Sequence, residues 1–437
     1  MASAEAFGFS RISREWTRIR NSSLARNAGW MMFGQCMGYV LQAGYFVILA
    51  RLLGVVQYGI FAGAFAFVNL VARYSTLGTG TLFLRYVSTD RGKFAVFFGN
   101  ILLVTAVFGT ISVVVLHIAG YHLLNPASAA IVILAAISNC LGTQFGTCAA
   151  QMFQAVEQMR ITAVLSLFVN FLRVMAAGAM LLIMHHASAW QWSLASMLVS
   201  VVGALVGIAL AIVKFGVPKF SLTIFKKHLV EGLEFAFASS TTSAYNDLDK
   251  TLLSHYGMNA ANGVYTMAYR IIDISTMPIV SLRDAALPRI FKAGTEGIGK
   301  AGDYASKIWK QAFVYSLVAA GGMFLIAPLV PMVVGKTFLE GVSALRWLCL
   351  IPVFRSVHEI AGSALTGAGL QRYRTGSQVL ATLLNLGLNV WLIPKHGWLG
   401  AAWASLATDG SLGVMNWTML KYLTLRENRS RELYAKS

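Results

Sequence analysis

Seven basic residues stand in stretches that are otherwise apolar: Arg73, Arg173, Lys250, Arg270, Arg283, Arg346 and Arg355. Six acids do the same: Asp247, Asp249, Asp273, Asp284, Glu359 and Asp409. A charge at the centre of a bilayer costs at least about 2.5–3.5 kcal/mol, so it faces a wet cavity or a partner. Guanidinium forks grip phosphate oxygens in pairs, and arginines with no acid nearby therefore fit a polyanionic cargo. Arg73 and Arg173 have no acid within a helical turn. Arg73 leads the candidates of the first half of the chain, and Lys250 with Arg270 those of the second. Other charges have partners in the sequence itself. Asp247 and Lys250 are three apart, as are Arg270 and Asp273, and Arg355 and Glu359 are four apart. Those spacings put both side chains on one helix face, where structural ion pairing is the alternative reading. Arg283 and Arg346 lie nearer the ends of their spans, where long side chains snorkel to the interface. For a coupling ion, Asp409 stands alone beside Gly410 and Ser411. It suits reversible proton binding, or a plain hydrogen bond to a neighbouring helix. Asp247, Asp249 and Asp273 are further ion-coupling candidates, with proton and sodium both open.

Composition dictates what must hold these residues. The chain is 57% hydrophobic and 12% charged over 437 residues, where a soluble protein is about 25% charged. Mean hydropathy is +0.65, and most of the surface must face lipid. A crossing helix needs about 20 mostly apolar residues. Such runs fall near 27–50, 59–83, 94–118, 127–151, 161–184, 190–213, 232–255, 263–288, 309–334, 342–366, 375–393 and 397–420. The expected architecture is all-α and integral to the membrane, with about twelve crossings and short loops. Lysine and arginine orient it. Arg11, Arg14, Arg18, Arg20 and Arg26 precede the first span, and every second flank after it is basic. That side carries 25 of the basic residues, and the opposite side only Arg51, Lys336 and Lys395. Both termini are therefore expected in the cytoplasm. The net charge of +18 reads as topology, which leaves nucleic-acid binding nothing to explain. The basic tail suits anionic headgroups.

The chain also repeats. Gly59-Ile60-Phe61-Ala62-Gly63-Ala64-Phe65 matches Gly263-Val264-Tyr265-Thr266-Met267-Ala268-Tyr269, with turn glycines Gly54 and Gly257 just upstream. The spacing divides the chain into a basic tail (1–26), a first lobe (27–213), a linker (214–231), a second lobe (232–420) and a second basic tail (421–437). Both lobes start on the same side of the membrane, so the repeat is parallel and a central cavity lies between two bundles. Membrane enzymes are disfavoured. There is no phosphate-cradling glycine loop, nucleophile elbow, metal-ligand spacing or cofactor motif. Cys36, Cys140, Cys148 and Cys349 read as small apolar residues in packed helices.

With these features in place, Leu49-Ala50-Arg51-Leu52-Leu53-Gly54-Val55-Val56-Gln57-Tyr58-Gly59-Ile60-Phe61 resembles the "ARxLGxxxYGxF" junction of bacterial polysaccharide flippases. These belong to the multidrug/oligosaccharidyl-lipid/polysaccharide exporter superfamily. Asp249-Lys250-Thr251-Leu252-Leu253, Pro288-Arg289 and Ile393-Pro394-Lys395-His396-Gly397-Trp398 extend the likeness over nearly the whole chain. The resemblance implies two six-helix lobes forming a V. It also implies an ion-coupled flippase carrying a lipid-diphosphate-linked oligosaccharide to the outer leaflet of a bacterial inner membrane, for example for O-antigen or capsule. Membrane lipids and other polysaccharide-assembly proteins are the implied partners, with no cofactor. Candidate cargo contacts are Arg73, Arg173, Lys250, Arg270, Arg283 and Arg355. A drug exporter of the same fold is the first rival reading, and a glycan polymerase or ligase the second.

Overall fold

The computed structural model describes residues 23–436; Arg11, Arg14, Arg18 and Arg20 of the basic tail lie outside the described residues. All regular structure among them is helical. The first lobe contains α1 (Ser23–Ala72), a 3-10 turn (Arg73–Thr76), α2 (Thr79–Thr89) and α3 (Phe94–Leu123). It continues through α4 (Val132–Ala136), a π-helical stretch (Ile137–Thr143) and α5 (Gln144–Ala155) to α6 (Met159–Met184) and α7 (Ala189–Phe215). The second lobe begins with α8 (Leu222–His255), α9 (Asn259–Thr295) and α10 (Ile298–Ile326). After a short helix (Val330–Val334) it continues through α11 (Gly341–Leu348), α12 (Ile351–Gly367), α13 (Gln371–His396) and α14 (Trp398–Lys436).

Eight helical stretches are long and apolar enough to cross a bilayer. The first, Gly29–Thr76, runs 48 residues, about 72 Å at 1.5 Å per residue against a hydrocarbon core of roughly 30 Å. It is two crossings, because Gly54 leaves helical geometry at φ 67° and ψ 174°. Only glycine adopts that φ freely. Its counterpart Gly257, at φ 72°, makes the α8–α9 turn. Helices α8, α9 and α14 are 34, 37 and 39 residues long but too polar to register as apolar spans. With these three the crossings number twelve. The non-helical connection between lobes is shorter than the 214–231 linker expected: α7 ends at Phe215 and α8 begins at Leu222. Likewise α14 runs past residue 420 to Lys436.

Lipid is as apolar as leucine, so the lobes associate through close packing and hydrogen bonds rather than hydrophobic burial. At the end expected to face outward they share one core: Phe46, Leu49, Leu52 and Tyr58 of α1 pack with Tyr265, Met267 and Tyr269 of α9 and with Phe338 and Leu345. The repeated glycines make this contact. A Cβ on Gly59 would collide with the Asn259 carbonyl and stand 2.6 Å from the Gly263 nitrogen, and one on Gly263 would collide with the Val55 carbonyl. Asn262 Nδ2 donates to the Gly59 carbonyl at 3.1 Å, and Asn125 Nδ2 to the Ser254 carbonyl at 2.6 Å. Arg51, the isolated outer cation, donates to the Val333 and Met332 carbonyls at 2.6 and 3.0 Å.

At the inner end the cores part. One, in the first lobe, holds Phe83, Phe98, Met152 and Phe153; the other, in the second, holds Ile298, Ile360, Leu365 and Leu420. Helix α8 packs against elements of both lobes. Ser240 Oγ donates to the Leu70 carbonyl at 2.7 Å, and Arg85 pairs with Glu231 at 2.5 Å. The arrangement is a V, closed at the end expected to face outward and open at the other, with α8 packed against both lobes.

Candidate functional site

Under the outer closure lies a cavity of about 190 Å³, and its walls come from both lobes. The first lobe supplies Gln42, Tyr45, Tyr58, Asn69, Asn139 and Arg173; the second supplies Asp247, Lys250 and Arg270. Four of the residues singled out in the sequence, from helices α6, α8 and α9, thus converge at one place. Lys250 Nζ lies 2.9 Å from Asp247 and 2.6 Å from the Asn246 carbonyl. Asn139 donates to Asn69 at 3.0 Å and Asn69 to Asp247 at 3.2 Å, so an amide relay ties the first lobe to the α8 carboxylate. Arg173 reaches Ser200 Oγ at 3.5 Å, while its Nε is buried with no hydrogen-bond partner among the described residues. Arg270 points into the cleft with half of its side chain exposed, 4.0 Å from Asp273.

From the cavity a ladder of charge descends the second lobe toward the open end. Arg355 binds Asp273 at 3.1 Å. Arg283 pairs with Glu359 and, at 2.8 Å, with Asp284, and Arg374 lies 3.8 Å from Glu359. The Arg355–Glu359 pair expected within α12 does not form. Arg355 turns to α9 and Glu359 to Arg283 and Arg374, because the four-residue spacing puts both on the face packed against α9. Arg283 does not snorkel; it is held in this network with 22% of its side chain exposed. Arg346 is exposed and lies over the Phe324 ring at 4.9 Å.

The other candidates lie elsewhere. Arg73 sits exposed in the 3-10 turn, four residues beyond Asn69, and is not part of the central cavity wall. Asp249 is buried within the second lobe, accepting from Tyr265 and, at 3.4 Å, from Ser405. Asp409 is 3% exposed and lies 3.7 Å from His358 Nε2 of α12, so it is not the isolated acid the sequence implied. Sequence reasoning missed Asn69, Asn139, Arg374 and His358. Asn69 was legible as an amide within an apolar run, whereas Arg374 read as a flank.

Residues 24–293 match the family of polysaccharide biosynthesis proteins. The chain belongs to that family. The uncharacterized membrane protein MJ1068 of Methanocaldococcus jannaschii is 24% identical over 307 residues, which is 67% of this chain and 56% of that protein. The chain spans about half the length of the curated relatives it matches. An inward-facing multidrug resistance MATE family transporter of the MOP superfamily superposes with a TM-score of 0.71 at 17% identity, over 88% of this chain and 95% of that one. The lipid II flippase MurJ, in an inward closed conformation, gives 0.70 at 13% identity over 91% and 87%. This family member therefore has the two-lobed fold of the MOP superfamily and is a multi-pass membrane protein.

Proposed function

We propose that the protein is a flippase that moves a lipid-diphosphate-linked oligosaccharide across the cytoplasmic membrane, with both termini in the cytoplasm. The observation that carries this reading is the convergence of Arg173, Lys250 and Arg270 with a single carboxylate, Asp247, in a cavity closed outward and open inward. Two fixed guanidinium forks and an ammonium suit a diphosphate. Half-exposed Arg270, weakly paired at 4.0 Å, is free to exchange Asp273 for a phosphate. Arg355, Arg283 and Arg374 would guide the anion inward from the mouth, and Arg73 would meet it on the facing lobe. Membership in a polysaccharide biosynthesis family supports a glycan on that lipid. Asp247 and Asp273 share partners with the cargo site, so a coupling ion bound there would compete with or release the cargo. Asp249 and Asp409 offer alternative seats, for a proton or for sodium.

Reconstitution in liposomes with a fluorescent polyprenyl-diphosphate oligosaccharide tests the reading. Transfer between leaflets should be fast in the wild type, respond to a proton or sodium gradient, and fall in Arg270→Ala and Arg73→Ala. Absence of transfer by folded wild type, together with binding of cationic dyes, would replace this reading with a drug exporter.

A further inference from the structure

The first-lobe wall of the cleft differs from the second in kind. The central cavity shares Arg173 with a second cavity, of about 300 Å³, between the α4–α5 segment, α6 and α7, where Thr143, Thr147, Ser166, Asn170 and Ser200 stand among small residues. A third cavity, about 200 Å³ between α1 and α6, shares Ser166 and Asn170 and adds Gln35, Tyr39 and Gln42. Gln42 also lines the central cavity, and Arg173 lines both the central and the 300 Å³ spaces, so the two first-lobe cavities, together a chamber around Ser166 and Asn170, border the central cavity.

The sequence of α6 explains its polarity. Ser166, Asn170 and Arg173 recur at helical spacing on one face of a helix that exposes Val164, Phe171 and Met175 on another. Glycines of the π-helical stretch and of α7 let the segments around this space pack closely, while Gly146 of α5 faces open space, with nothing within 4 Å of a Cβ built there. A Cβ on Gly142 would stand 2.7 Å from Ser200 Cβ, and one on Gly207 2.8 Å from Ala149 Cβ.

The chamber is rich in hydroxyls and carboxamides and carries a single charge, Arg173, at its junction with the central cavity. Two of its polar atoms, Thr143 Oγ1 and Arg173 Nε, are buried with no hydrogen-bond partner among the described residues, and buried polar atoms ordinarily have one. A diphosphate can only accept hydrogen bonds. Hydroxyls and carboxamides both donate and accept, which matches a ligand that also does both. A neutral, hydroxyl-rich glycan is such a ligand; a diphosphate or a cationic drug is not.

We infer that this first-lobe chamber is the seat of the glycan, with Arg173 marking the point where sugar gives way to diphosphate and the charged second-lobe wall holding the latter. The inference rests on the cargo reading above and divides that cargo between the lobes. Sugars enter the first lobe, phosphates lie along the second, and the polyprenyl tail stays outside.

Binding to nanodisc-embedded protein of two probes separates the claims: bare polyprenyl diphosphate, and the same lipid carrying a neutral tetrasaccharide. Wild type should bind the glycosylated probe more tightly than the bare one. Asn170→Leu and Thr143→Val should weaken the glycosylated probe about tenfold, some 1.4 kcal/mol, and leave the bare one within about twofold. Asn170→Gln should recover part of the loss, and Arg270→Gln should weaken both probes. Equal wild-type affinity for the two probes, or first-lobe variants that weaken both alike at unchanged melting temperature, would overturn the chamber assignment. Failure of wild type to bind the bare diphosphate would instead overturn the flippase reading.

Discussion

The two lobes repeat one backbone plan and differ in side-chain chemistry. Residues 27–213 contain two acids, Asp90 and Glu157, both in loops; residues 232–420 contain ten. What the lobes keep in common is where backbones touch: Gly54 and Gly257 as turns, Gly59 and Gly263 at the seam. What they do not share is the cleft lining, amide and hydroxyl on one side and ion-paired on the other. Packing in a bilayer depends on small residues at close crossings, so those positions have no room to vary. Cavity-facing positions carry little of the packing and are open to divide labour.

The sharpest way to break this contrast is at the charged wall. Arg270→Ala should reduce transfer of a lipid diphosphate about a hundredfold, the scale of losing a desolvated charged contact; a leaflet-transfer assay reads it directly. If Asn170→Leu proved as damaging to a glycan-free probe, the lobes would not differ in role. The shared seam comes next. Gly59→Leu forces a side chain onto the Asn259 carbonyl, and overpacking of this kind costs about 1–3 kcal/mol. It should depopulate this outward-closed, inward-open state, read as greater reactivity of a thiol probe at Tyr58→Cys applied from outside. Stability separates the walls further. Glu359→Gln leaves Arg283 and Arg374 without their shared carboxylate, a loss of about 2 kcal/mol after discounting for partial exposure. Thr147→Ala, at an exposed hydroxyl of the other lobe, should change unfolding free energy by less than about 0.5 kcal/mol; equal effects would erase the distinction.

The smallest effect lies outside the membrane. Glu296 accepts from Lys300 at 2.6 Å, and that hydrogen bond, with the attraction of the ammonium, holds its carboxyl below the usual carboxylate range. A depressed folded value contributes stability above the unfolded value, and the contribution is lost as pH falls through the folded one. Because both side chains are exposed, Glu296→Gln should leave melting at pH 7 unresolved from wild type. A clear drop would mean the α9–α10 turn matters more than the cleft does.

Much of this was legible from hydropathy, basic flanks and the glycine repeat, because bilayer thickness and unsatisfied backbone groups leave few solutions. Arg173, Asp247, Lys250 and Arg270 announced themselves as charges in apolar runs, and the structure brings them together. Partner choice was not legible. Helical spacing pairs Arg355 with Glu359, but the crossing of α9 over α12 gives both partners on α9, Asp273 and Arg283, and adds Arg374 of α13 to Glu359. Asp409 looked isolated because His358 is 51 residues away along the chain and meets it only when α12 packs on α14. The first-lobe chamber was hidden for another reason: serines and threonines in apolar helices commonly bond their own backbone, and nothing in spacing alone says which of them border a cavity.

The Gly59–Gly263 crossing has one more consequence. Each is the counterpart of the other in the repeat, so the seam brings a position against its own equivalent. In an assembly of separate subunits that is the mark of an isologous interface on a two-fold axis. The outer closure is thus organised like the contact of a homodimer whose subunits have been joined end to end. The joining segment, 216–221, removes the concentration dependence such a dimer would have, and it lets each half acquire its own lining without losing its mate.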